Sequence, residues 1–219
     1  MNKEEAHQYW DEHWYRLPIG GHWDAIGKLQ FRFLCEHGLR PNHKLLDVGC
    51  GPLRGGVHFI KYLNESNYVG IDNDDDLIDG AMNEIKEHDL WSKKPAIVKM
   101  GNFDFPSLNT EFDYAVAISV FTHLPLNSII RCLVNIEKVL KSGGKFYATF
   151  FENPEGMKHV TPQTQISDSM VLVTYFDKDP YHYDLGTFKW ICSNINLEVE
   201  YIGEWGHLRN QKILCFLHA

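Results

Sequence analysis

Apolar residues along this chain alternate between two rhythms. Short runs at 44–48, 68–71, 96–100, 114–119 and 145–151 have the length and β-branched or aromatic content of buried strands. Between them lie helical stripes. Ile26, Leu29, Phe33 and Leu34 recur at helical spacing behind Asp24, read as an N-cap, and Gly38 ends that helix. Val57, Ile60 and Leu63 mark a second helix, and Leu77, Ile78, Ala81, Met82 and Ile85 a third. A fourth carries Ile129, Ile130, Leu133, Val134, Ile136 and Leu140; Pro125 suits its first turn and Gly143-Gly144 stops it. Residues 184–195 read as a last helix, and 197–202 with 212–217 as a terminal strand pair joined through 203–211. Two segments break the alternation. Residues 152–182 carry Pro154, Pro162 and Pro180 without periodicity, a long stretch of the kind that often contacts ligands. Residues 1–22 are rich in rings: Tyr9, Trp10, His13, Trp14, Tyr15 and His22. Strand–helix alternation predicts an α/β fold, a mostly parallel sheet with helices on both faces.

The first strand ends in Asp47-Val48-Gly49-Cys50-Gly51 and runs into a helix. Glycine suits such a turn because it tolerates positive φ and lets backbone approach a ligand closely. Asp72 ends the second strand 23 residues after Gly49, near the distance at which an α/β unit offers a carboxylate to a ribose diol. These two signals point to an adenosine-type ligand. The dinucleotide fingerprint is absent, because Arg54 stands three residues after Gly51 where a glycine is required. A phosphate-binding Gly-Lys-Ser/Thr is absent as well.

Asp-Val-Gly-Cys-Gly resembles the first motif of the class I S-adenosylmethionine-dependent methyltransferases. Val69-Gly70-Ile71-Asp72 is similar to their ribose-binding segment, and residues 101–106 to their adenine-contacting segment. Residues 112–119 resemble the fourth strand and 139–146 the passage into the fifth, so five motifs in order cover roughly 40 to 150. The resemblance implies a seven-stranded Rossmann-like sheet, mostly parallel, whose last strand is antiparallel, in one domain spanning 1–219. It implies S-adenosylmethionine as cofactor, held by Asp47, Gly49, Gly51, Asp72, Asn73, Asn102, Phe103 and Ser119. Asn102 stands where the family often has Asp; its amide can both accept and donate toward adenine. Phe103 is a stacking ring or a core residue. Segment 1–38 is either a lid or a helical segment packed on the domain, and 152–182 is the expected acceptor-binding insertion.

Composition narrows the partners. Net charge is −8, with no Lys/Arg cluster of the kind that grips phosphates, which disfavours nucleic acid. No apolar run approaches the roughly 18 residues of a membrane span, and the N-terminus lacks the apolar core of a signal peptide, so the cytoplasm is the default expectation. Five cysteines share no zinc or redox spacing and read as packed thiols. The run from Asp72 to Asp76 is no calcium loop, because Leu77 and Asn83 occupy the positions that need Gly and Glu. The 12 histidines form no metal motif, and no metal is expected.

Methyl transfer to a hydroxyl gains from a base. His123, in Phe121-Thr122-His123-Leu124-Pro125 after the fourth strand, is the candidate; a similar run occurs in methyltransferases of small molecules and sugars. The alternative is a histidine that caps the following helix. Glu152 and Asp184 are weaker base candidates. Between the last strands, His207 and Arg209 suit the orientation of a polar or anionic acceptor, as an ordinary hairpin would also explain them. Arg54 fits either an anionic partner or a solvated helix start. O-methylation of a small polar metabolite or saccharide is the leading expectation. N-methylation of a small amine, or a cofactor-binding module without catalysis, are the alternatives. Oligomeric state is not legible.

Overall fold

A computed structural model describes residues 9, 12–154, 158–167 and 170–218; the remainder, Trp10 of the aromatic segment among them, lie outside the described residues. Seven strands form the main sheet: β1 (Leu45–Val48), β2 (Tyr68–Asp72), β3 (Ala96–Lys99), β4 (Phe112–Ala117), β5 (Leu140–Glu152), β9 (Leu197–Gly203) and β10 (Lys212–His218). Their order is β3-β2-β1-β4-β5-β10-β9. Pairings from β3 through β5 are parallel, while β10 runs antiparallel to both β5 and β9. This is the expected seven-stranded sheet with its last strand reversed. Two-residue β8 (His182–Tyr183) adds to the end of β5, and β6 (Gln163–Ser167) pairs with β7 (Met170–Thr174) as a separate hairpin.

Side-chain alternation places a core on each face of the sheet. Along β4, Tyr114 and Val116 enter one cluster while Ala115 and Ala117 enter the other. The first cluster packs under α1 (Trp23–Glu36), α2 (Gly56–Tyr62) and α3 (Asp75–Glu87), through Leu34, Phe59 and Ile85 among others. The second packs under α4 (Leu126–Glu137) and α5 (Leu185–Cys192), through Leu133, Ile136 and Phe188. Burial on both faces explains why β1 is buried at every position and reads as a continuous apolar run.

Three boundaries differ from the pattern-based reading. Leu140 begins β5 instead of ending α4, because the Phe112 N–H takes the Val139 carbonyl and Leu140 pairs with Phe112 before the register shifts. Asp24 lies in the first turn of α1, not at its cap, where a left-handed His22 precedes the helix without a side-chain cap. The aperiodic 152–182 segment contains a hairpin that alternates after all, but with Ile166, Val171 and Val173 pointing outward, so the period carried no amphipathic signal. Asp74 caps α3, accepting from the Asp76 and Leu77 N–H groups. Among the described residues no helix is long and apolar enough to cross a membrane.

Candidate active site

The strand order reverses at β1, whose neighbours β2 and β4 lead in opposite directions, and open α/β sheets bind ligands at the carboxyl ends of such strands. A cleft of about 480 Å³ opens there, within the roughly 300–1,000 Å³ common for small-molecule sites. Asp47, Gly49, Gly51, Asp72, Asn73, Phe103, Ser119, His123 and Arg209 all line it.

The glycine loop is built around Asp72. One carboxylate oxygen accepts from the Gly51 N–H at 2.9 Å; the other accepts from Asn73 and Asp74 at 2.8 and 3.1 Å. The loop is thereby pinned to the end of β2. Gly49 and Gly51 have φ of +67° and +52°, and a Cβ on Gly49 would lie 2.5 Å from Val120 Cγ2. A side chain there meets both backbone strain and a clash. Asp47 is buried beneath the loop, accepting from the Tyr68 hydroxyl at 2.7 Å. Burial pushes its carboxyl up to about 7, with a further rise from Asp72, against the stabilising Tyr68 bond.

Ser119 lies in the turn after β4 in a left-handed conformation, φ +62°. Its hydroxyl donates to Gln211 Oε1 at 3.0 Å, and its N–H donates to the Thr149 hydroxyl at 2.7 Å. Non-glycine residues held at positive φ tend to cluster at functional sites. The hydroxyl is committed to the buried Gln211, and the Ser119 carbonyl accepts from the Thr122 hydroxyl at 3.1 Å. Phe103 also has positive φ, and its ring packs edge-on against Phe105.

His123 sits in a short turn after β4, and its Nδ1 lies 2.7 Å from Asp179 Oδ1. Both side chains are 57% exposed. Asp179 reaches it because the Tyr181 N–H donates to Thr122 and the Tyr183 hydroxyl to Leu124, which ties the 175–183 segment to the turn. Nε2 is then the free ring nitrogen for a ligand. The other base candidates are engaged elsewhere: Asp184 caps α5 through Thr187, and Glu152 accepts from Tyr201.

Pro18, Ile19 and Gly20 form a strap along the cleft. Arg54 donates to the carbonyls of Ile19 and Gly21 at 3.1 and 3.3 Å; Arg209 donates to Ile19 at 2.9 Å and to Gly20. The ring-bearing residues before the strap pack elsewhere. Tyr15 and Arg16 bond Glu84 of α3 at 3.0 and 2.6 Å in a buried cluster, and His13 reaches Glu87. Among the described residues of 1–38, Pro18, Ile19, Gly20 and Gln30 line the cleft.

Neither Asn102 nor His207 reaches the cleft wall. Asn102 is exposed and its side-chain oxygen accepts from the Asp104 N–H. His207 is buried against Trp205, its ring stacked 5.2 Å away, because the β9–β10 connection folds inward. Burial, then the charges of Arg54 and Arg209, push it down to about 3, so it is neutral. Asp179 has no counterpart in the sequence reading; it lies between Lys178 and Pro180 in the aperiodic stretch, 56 positions from its partner. Among the described residues no group of three or more His, Cys, Asp or Glu side chains is placed to hold a metal.

The family described as a methyltransferase domain matches residues 45–144, the stretch from β1 into β5 that builds this cleft. Over residues 45–144, a little under half of its length, the chain matches a methyltransferase domain. A sterol 24-C-methyltransferase from Schizosaccharomyces pombe is 35% identical over 122 residues, 56% of this chain and 31% of that enzyme. The chain thus spans about a third of the length of the curated relatives it matches. Among solved structures, magnesium protoporphyrin IX methyltransferase from Synechocystis PCC 6803, crystallised with S-adenosylhomocysteine, superposes with a TM-score of 0.65 at 12% identity, covering 97% of this chain and 94% of that one. An S-adenosylmethionine-dependent methyltransferase from Clostridium acetobutylicum also gives 0.65, at 10% identity, covering 98% and 97%. At these identities the structural matches establish the fold of the methyltransferase domain.

Proposed function

We propose that this methyltransferase takes its methyl group from S-adenosylmethionine and transfers it to a hydroxyl of a small polar acceptor, a metabolite or saccharide. The carrying observation is the His123–Asp179 pair at the cleft rim. S-adenosylmethionine, when bound, supplies an electrophilic methyl on a sulfonium that leaves as a neutral thioether. Asp72 offers its carboxylate to the ribose diol, and the backbone at Gly49, Gly51 and Ser119 allows the methionine part to approach. Asn73 and Phe103 would border the nucleoside and Asp47 the polar end of the cofactor; Asn102 would need a side-chain turn to take part.

His123 accepts the acceptor's proton at Nε2 as the oxygen–methyl bond forms. Asp179, bonded to Nδ1, keeps the proton on that nitrogen and leaves Nε2 basic. The 152–182 segment serves the acceptor side by delivering Asp179. Polar and charged groups along the cleft, Arg54 and Arg209 among them, favour a polar acceptor over an apolar one.

The test is S-adenosylhomocysteine release across sugars, sugar nucleotides, phenols, carboxylates and amines. Turnover of a hydroxyl acceptor that falls about 10²–10⁴-fold in His123→Ala is the expected result. Turnover confined to amines and indifferent to His123→Ala would overturn it.

A further inference from the structure

The cleft contains two guanidinium groups that the methyl-transfer chemistry does not use. Arg54 starts from the glycine loop and Arg209 from the β9–β10 connection, and both converge on one stretch of backbone. Arg54 is only 8% exposed, and Arg209 is half-buried. Among the described residues neither has a carboxylate within ion-pair distance, although Asp47 and Asp72 line the same cleft. Among the described residues, their side-chain hydrogen bonds go to the neutral carbonyls of Ile19, Gly20 and Gly21. Buried cations are ordinarily paired with an anion, and carbonyl dipoles are weaker partners than carboxylate or phosphate. His207 packs behind them with a buried Nε2 that has no partner.

We propose that Arg54 and Arg209 form an oxyanion-binding subsite, at which a carboxylate or phosphate of a bound ligand replaces the strap carbonyls of Ile19 and Gly20. A guanidinium presents a planar fork of donors, so two of them arriving from opposite walls can clamp one such group. The anion is either the amino-acid carboxylate of the cofactor or an acidic group on the acceptor. In both cases the ligand assignment rests on the methyl-transfer reading; the subsite itself rests on the two arginines.

Calorimetric titration of wild type, Arg209→Gln and Arg209→Lys separates the sources. S-adenosylhomocysteine carries the carboxylate, and 5′-methylthioadenosine lacks it. If the cofactor supplies the anion, Arg209→Gln weakens S-adenosylhomocysteine at least about tenfold, the scale of one charged hydrogen bond, and leaves 5′-methylthioadenosine unchanged. If the acceptor supplies it, both nucleosides bind unchanged, while inorganic phosphate binds the S-adenosylhomocysteine-loaded wild type and not Arg209→Gln. Partial recovery in Arg209→Lys, with an unchanged thermal melt, marks the effect as charge recognition and not misfolding. Equal binding of S-adenosylhomocysteine and of phosphate by wild type and Arg209→Gln would overturn the subsite and leave the arginines as strap latches. Failure of wild type to bind either nucleoside would instead overturn the cofactor reading, and phosphate titration of the free protein would still decide the subsite.

Discussion

The two halves of the cleft are built on different length scales. Around the glycine loop, the defining bonds join residues 21 positions apart, Gly51 to Asp72 and Tyr68 to Asp47. They fall within one strand–helix–strand unit, and the whole arrangement follows from a single stretch of sequence. On the other side, His123 meets Asp179 across 56 positions, Ser119 meets Gln211 across 92, and Arg209 meets Ile19 across 190. That half exists only once the sheet has closed and three separate connections have met over it. A cofactor-like site built locally survives changes of acceptor, whereas the distal half is free to vary with the loops that compose it.

The sharpest way to break this contrast is to remove the anchor of the strap without touching the cleft. Glu84 is fully buried against Tyr15 and Arg16, and Glu84→Gln removes the buried counter-charge of the Arg16 guanidinium, leaving it the partly exposed Glu87 at 3.3 Å. Loss of one partner from a buried pair costs about 3–5 kcal/mol, so the melting temperature should fall on the order of 10 °C. A melt that does not move would mean the strap's root contributes little to the fold. Next in size, Asp72→Ala should weaken S-adenosylhomocysteine about 100-fold, since it removes charged acceptors from both ligand and loop. Calorimetry would detect it, and unchanged affinity would remove Asp72 from the site.

The third substitution crosses to the other half. Asp179→Ala should leave S-adenosylhomocysteine affinity unchanged and lower kcat roughly tenfold, the equivalent of one hydrogen bond of about 1.4 kcal/mol. Asp179→Asn should restore part of it, since the amide oxygen still accepts from Nδ1. The pair is exposed, so its loss should not register in a thermal melt. A fall in affinity with no change in kcat would place Asp179 on the cofactor side and erase the division.

A pH-dependent effect concerns Asp47. Its carboxyl, raised to about 7, keeps a proton that the unfolded chain has lost above about pH 4. Between those limits the native state binds more protons, and stability declines as pH rises. Asp47→Asn should remove up to about 1.4 kcal/mol per pH unit of that slope. Denaturant melts at pH 5 and pH 7 would show it, and parallel slopes in both proteins would mean Asp47 is ionised throughout.

The same difference in scale governs what could be read from the chain. The mostly parallel sheet and the glycine loop are legible because the central strands are buried on both faces and the loop has a local glycine and aspartate signature, whereas the reversed last strand follows only from the family resemblance. Leu140 reads as helical because an apolar stripe and a buried strand look alike over a few residues, and pairing with Phe112 separates them. Asp179 carried no signal, since a single carboxylate in an aperiodic segment gains meaning only from the turn it faces. His207 and Arg209 stand two residues apart in one polar stretch, yet one ring is turned into the core and the other side chain into the cleft. Spacing does not distinguish those fates; the packing of Trp205 does.

The strap at 18–20 has a consequence in time as well as in shape. Its carbonyls are bonded by Arg54 and Arg209 at once, so if ligands enter past the strap those bonds must open together. Arrival and departure then share one gate, and the opening frequency of that gate limits both. Association should be slow relative to the affinity reached, residence of the spent product long, and steady turnover paced by its escape. Stopped-flow traces in which Arg209→Gln accelerates entry and exit by similar factors would make this short stretch of backbone the clock of the protein.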